Sequence, residues 1–124
     1  MTILCVDDDP IYRDLYRAIL EPKGFTVEVA ANPAEGFAAV KKIKPDVMLL
    51  DVMMPESKGF FDGLGLLKKI RETNGIKDTP IIMITGLGDA TDQKQGLKDG
   101  ASAYLPKQDL TPDRLIKEIQ KLLK

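Results

Sequence analysis

Residues 46–50 read DVMLL, and residues 80–85 read PIIMIT. Neither stretch alternates apolar with polar. Each is a short, nearly continuous apolar run, the pattern of a strand covered on both faces. Working outward, Thr2–Val6 (TILCV) reads as another buried strand. Phe25–Ala30 (FTVEVA) alternates and is rich in β formers, and Ser102–Leu105 is a short fifth strand. Helical signals fall between them. Asp9-Pro10, Asn32-Pro33 and Thr111-Pro112 each set a capping side chain before a proline at the first helical position. Ile11, Leu15 and Ile19, with Tyr12, Tyr16 and Leu20, make one apolar helix face. Phe37, Val40 and Ile43 make a second, and Leu115, Ile119 and Leu122 a last. After a loop-like stretch from Met53 to Gly65, Leu66, Leu67 and Ile70 start a third helix that Asn74-Gly75 ends. Asp89 caps a fourth helix reaching Gly100, with Ala90 and Leu97 its main apolar residues. Strands alternating with helices predict an α/β fold, a doubly wound parallel sheet with helices on both faces. It is expected as a single domain over residues 1–124.

Composition narrows the function. The chain has 124 residues, a formal net charge of −1 and 44% hydrophobic residues, which suits a folded soluble domain. A chain of this length buries roughly two-thirds of its unfolded surface. The balanced charge argues against direct nucleic-acid binding, which needs a basic excess. One cysteine, Cys5, excludes an internal disulfide and is read as core. The absence of histidine removes imidazole acid–base chemistry and His-ligated zinc. No apolar run is long enough for a membrane span and no secretory leader is evident, so a cytoplasmic location is expected.

In sheets of this kind ligands sit beyond the carboxyl ends of the strands. Those ends carry Asp7-Asp8-Asp9, Asp51, Thr85 and Lys107. Each alone has a bland reading as a solvated strand end, a cap or a loop charge. Asp51, set between VMLL and VMMP, is harder to dismiss, because a charge among apolar residues needs compensation. Together the residues suit phosphoryl transfer. Clustered carboxylates tolerate each other when a cation joins them, and an all-oxygen site selects Mg²⁺. Ammonium and hydroxyl donors neutralise phosphoryl charge, and one carboxylate can serve as nucleophile.

VDDDP after the first strand, LLDVMMP after the third, IIMITG after the fourth and GASAYLPK around the fifth resemble the receiver domain of response regulators. The resemblance covers the whole chain and carries with it a flavodoxin-like strand order of 2-1-3-4-5 with five helices. It implies a phosphoacceptor receiver in a two-component phosphorelay, taking a phosphoryl group from a kinase phosphohistidine with Mg²⁺. Asp51 would be the acceptor. Asp8 would ligate the metal directly, Asp7 through water, and Met53 through its backbone carbonyl. Thr85 and Lys107 would bind phosphoryl oxygens, and Gly86 would leave room for them. Thr85 and Tyr104 would act as the switch, although Tyr104 also reads as an ordinary strand residue. Met53 and Leu87 stand at the positions that tune the lifetime of the phosphoryl group. The implied partners are a sensor histidine kinase or phosphotransfer protein and a downstream protein or linked output domain. A phosphorylation-dependent dimer is a further option. Such a chain is not an enzyme in the usual sense, since it catalyses only its own phosphoryl uptake and loss.

Two departures stand out. The family usually has proline after the conserved lysine, but here Gln108 follows Lys107 and Pro106 precedes it. That leaves the reach of Lys107 open. The loop after Pro55 is longer than the pattern, so Lys58-Gly59-Phe60 and Asp62-Gly63-Leu64 both match its acidic-Gly-apolar signature loosely. Phe60 and Phe61 either fold onto the core or form a partner contact. Two alternatives remain at this level. One is a haloacid-dehalogenase-like phosphatase using Asp7, which leaves Asp51 unexplained. The other is a pseudo-receiver that binds partners without taking phosphate.

Overall fold

Period-two alternation sends Ile3, Cys5, Val47, Leu49, Ile82 and Ile84 to one side of a sheet and Leu4, Val6, Met48, Leu50 and Ile81 to the other. In the computed structural model, which describes residues 1–52, 54, 62–86 and 90–123 (90–93 by backbone alone), that sheet has five strands. They are β1 (Thr2–Val6), β2 (Thr26–Ala30), β3 (Val47–Asp51), β4 (Ile81–Thr85) and β5 (Ala103–Pro106). All pairings are parallel, in the order β2-β1-β3-β4-β5. Five helices alternate with them: α1 (Pro10–Leu20), α2 (Pro33–Ile43), α3 (Gly63–Arg71), α4 (Ala90–Lys98) and α5 (Pro112–Leu122). The doubly wound α/β expectation and its strand order therefore hold.

The first set of strand residues packs under α1 and α5 through Tyr16, Ile19, Leu20, Leu115 and Ile119. The second packs under α2 and α3 through Phe37, Val40, Leu66, Leu67 and Ile70. Cys5 is a free, fully buried thiol whose pKa burial raises, as a core residue requires. Helix α4 approaches the sheet through Gly96, where a Cβ would collide with the Met83 thioether. The three proline starts behave as the sequence indicates. Asp9 accepts from the Ile11 N–H at 2.9 Å, Asn32 from Glu35 at 2.9 Å, and Thr111 from Arg114 at 3.2 Å.

Three details differ from the sequence reading. Helix α3 begins at Gly63 instead of Leu66, with the Asp62 carboxylate capping the Gly65 N–H at 2.9 Å. The glycines that suggested a loop are there for another reason. A Cβ at Gly63 would run into the Asp51 carbonyl and the Val52 backbone, so the helix start sits flush against the end of β3. This also places Asp62-Gly63-Leu64 at the head of α3. Second, Ile11 and Leu15 are 72% and 38% exposed, whereas Tyr16, Ile19 and Leu20 are buried. Rows at i, i+4 run obliquely to a helix axis, so the 11-15-19 row leaves the core stripe towards its N-terminal end. Third, β5 extends to Pro106, an edge position where a missing N–H is tolerated. Met53, Phe60, Phe61, Leu87 and the Asp89 cap lie outside the described residues, so the readings attached to them stay as expectations.

Candidate phosphoryl-transfer site

Parallel register assembles the site. Val6 pairs with Leu50, so Asp7 and Asp51 emerge abreast, and Asp51 pairs in turn with Ile84. Thr85 pairs with Pro106, which brings Lys107 out beside it. Asp7, Asp51 and Thr85 are the buried polar or charged side chains among the described residues. Asp8 is exposed, yet its carboxylate lies close enough that oxygens of Asp7, Asp8 and Asp51 all fall within 4.8 Å of one another.

Lys107 Nζ bridges the two buried carboxylates, 3.2 Å from Asp7 Oδ2 and 3.2 Å from Asp51 Oδ2. The missing proline does not spoil its reach. No peptide bond is cis among the described residues, and Lys107 opens a short 3₁₀ turn, Lys107–Asp109, closed by the Leu110 N–H on the Lys107 carbonyl at 3.1 Å. The Lys107 stem passes Gly86, where a Cβ would stand 3.8 Å from Lys107 Cδ. Thr85 ends β4 fully buried, and Tyr104 is half-buried on β5. Register thus gathers Asp7, Asp8, Asp51, Thr85, Gly86 and Lys107 at one edge of the sheet.

Asp7 is held from several sides. The Asp9 N–H donates to its Oδ1 at 2.9 Å, the Tyr16 hydroxyl to its Oδ2 at 3.4 Å, and Arg13 to its carbonyl at 2.8 Å. Burial pushes the Asp7 carboxyl above its ordinary value; the Asp9 N–H opposes this, the Asp51 charge adds to it, and Lys107 opposes it. Lys107 is shifted up: burial alone would lower it, but Asp51 and then Asp7 outweigh that. Burial, and next the Asp7 charge, raise the Tyr16 hydroxyl. One ammonium thus faces two buried carboxylates and a third at the rim. Hard carboxylate oxygens gathered this closely fit a small divalent cation.

Tyr12, Tyr16 and Arg13 are site neighbours that the sequence reading did not single out. The two tyrosines read as core because they share an apolar helix face. Their proximity in the chain to Asp7-Asp8-Asp9, with polar tips on a core stripe, was the available signal. Both Asp7 oxygens are engaged, which disfavours Asp7 as the nucleophile of a dehalogenase-like phosphatase. The reach of Lys107 removes the observation that motivated a pseudo-receiver.

The comparisons agree with this architecture. Residues 3–120 match the response regulator receiver domain. The DNA-binding dual master transcriptional regulator RpaA of Synechocystis is 36% identical over 105 residues, 85% of this chain and 42% of that protein. The response regulator MprA of Mycobacterium leprae is 36% identical over 124 residues, 100% of this chain and 51% of that one. The chain therefore spans about half the length of these curated relatives. The BeF3-activated N-terminal receiver domain of Klebsiella pneumoniae RstA superposes with a TM-score of 0.86 at 29% identity, covering 100% of this chain and 99% of that one. With the sheet order, the acidic cluster and the match over nearly its whole length in agreement, this chain belongs to the response regulator receiver domain family.

Proposed function

We propose that the chain is a cytoplasmic phosphoryl acceptor in two-component signalling, with Asp51 the acceptor. The observation that carries this reading is the Lys107 ammonium 3.2 Å from Asp51 Oδ2, beside Asp7 and Asp8. An Asp51 oxygen attacks the donor phosphorus. The P–N bond of a kinase phosphohistidine, or the P–O bond of an acyl phosphate, breaks, and the bonding pair leaves with the imidazole or carboxylate. Asp7, Asp8 and Asp51, with the Met53 carbonyl, would hold Mg²⁺, which neutralises phosphoryl charge when bound. Lys107 donates to one phosphoryl oxygen and Thr85 to another, with Gly86 leaving space. Water later attacks the phosphorus, breaks its bond to Asp51 and releases phosphate.

Phosphorylation would draw Thr85 toward the phosphoryl group and let Tyr104 turn inward, shifting the surface of α4, β5 and α5 for a downstream protein or linked output domain. The exposure of Leu97 (44%) supports a loosely held α4. The test is labelling by acetyl phosphate with and without Mg²⁺, in wild type and Asp51→Asn. Label on wild type alone, dependent on Mg²⁺, is expected; equal label on both proteins would overturn the assignment.

A further inference from the structure

Lys107 has a third partner that is neither an acid nor a phosphate. Its Nζ stands over the Tyr12 ring, 3.9 Å from the centroid. Tyr12 packs on Tyr16, with ring centroids 6.3 Å apart and planes inclined by 42°. The Tyr16 hydroxyl reaches Asp7 Oδ2, the same oxygen that pairs with Lys107. One aromatic pair on α1 thus supports both ends of the Lys107–Asp7 contact.

We infer that Tyr12 is a positioning residue that holds the Lys107 ammonium for transfer to Asp51; this rests on the acceptor reading above. Three physical points support it. Lysine is a point charge on a flexible stem, so ion pairs alone leave it several arrangements. The backbone beyond Lys107 is not ring-constrained, because residue 108 is Gln. And the carboxylates are changing partners. A cation drawn to Asp7 and Asp51 competes with the ammonium for the same oxygens, and a phosphoryl group moves the charge on Asp51 outward. The ring quadrupole does not change through these events, so Tyr12 gives Lys107 a constant partner in a largely desolvated place, where such contacts are strongest.

The experiment compares wild type, Tyr12→Phe and Tyr12→Leu, with acetyl phosphate as donor so that no partner surface enters. The first readout is the proton shift of the Lys107 ε-methylene by NMR, assigned with Lys107→Met. A ring current moves it upfield in wild type and Tyr12→Phe, and the shift disappears in Tyr12→Leu. The second is the labelling rate at saturating Mg²⁺. It falls about fivefold in Tyr12→Leu, as expected for a desolvated cation–π contact, and returns in Tyr12→Phe. An unshifted methylene in wild type, or a Tyr12→Leu chain labelled at the wild-type rate, overturns the inference alone. If Tyr12→Leu fails to fold, the wild-type and Tyr12→Phe shifts still decide it. A wild-type chain that shows the shift but takes no label overturns the acceptor reading and the kinetic role of Tyr12 with it.

Discussion

The Lys107 ammonium stands 3.2 Å from Asp51 Oδ2, joining the last residue of β3 to the first residue beyond β5. It crosses under the end of β4, the strand between them. It also reaches Asp7 Oδ2 at 3.2 Å, so one side chain ties the ends of β1, β3 and β5 together.

Replacing Lys107 with Met removes the ammonium from the buried carboxylates of Asp7 and Asp51, and breaking such a pair costs about 3–5 kcal/mol. Mg²⁺ should restore more of that stability in the variant than it adds to wild type, because the cation no longer competes with the ammonium. Thermal melts with and without MgCl₂ measure both effects. Equal Mg²⁺ stabilisation of the two proteins would show that Lys107 and the metal do not share the site.

Asp7 gives a pH dependence of definite sign. Its folded pKa is raised, chiefly by burial, so the folded state holds a proton that the unfolded state has already released. Its contribution is fully present below the ordinary carboxylate value and is lost as pH rises through the folded value. Without Mg²⁺, Asp7→Asn should be more stable than wild type at neutral pH, because the variant has no buried carboxylate to ionise. The advantage should shrink as pH is lowered. Urea melts across that range test it, and a gap that widens in acid would reverse the sign.

Arg71, at the end of α3, joins three carbonyls from two other segments. Its Nε donates to the Gly100 carbonyl at 2.7 Å, and its terminal amine to those of Thr79 at 2.7 Å and Lys77 at 3.0 Å. Lysine cannot reproduce this planar fork. Arg71→Lys should cost about 1–3 kcal/mol, as hydrogen bonds to a charged group do. Hydrogen exchange should quicken at Gly100 and Ala101, beside the end of α4. Unchanged exchange there would mean the fork does not hold that end.

Burial on α1 predicts a contrast. Ile19 is 7% exposed within the core and Ile11 72% exposed. Ile19→Ala should cost about 2–5 kcal/mol and Ile11→Ala no more than about 0.5. Chemical denaturation of both variants checks this, and comparable losses would contradict the placement of Ile11.

The lifetime of the phosphoryl group depends on in-line access of water. Neither Met53 nor Leu87, at the tuning positions implied by the family, orients water by hydrogen bonding. A lifetime on the order of minutes or more is expected, each tenfold corresponding to about 1.4 kcal/mol of barrier. Decay of labelled protein should quicken in Met53→Asn and Leu87→Glu. Decay within seconds in wild type, or no change in the variants, would remove these side chains from control.

Local sequence was enough to define the layers and the strand ends where the acids gather. DVMLL and PIIMIT are apolar on both faces, so they must be covered on both sides. The Asp-Pro, Asn-Pro and Thr-Pro pairs fix helix starts by local chemistry alone. The family pattern carried strand order and site roles, which periodicity could not supply. Features that depend on distance across the fold emerged only with packing. Gly63 and Gly65 read locally as loop, but helix α3 begins there because Gly63 abuts the backbone end of β3. Ile11 and Leu15 read as core until the sheet showed which part of α1 it covers. Tyr12 read as one more apolar residue. Its contact with Lys107, 95 positions later in the chain, exists because parallel pairing brings the ends of β1 and β5 to the same edge, and spacing along a sequence carries no record of that meeting.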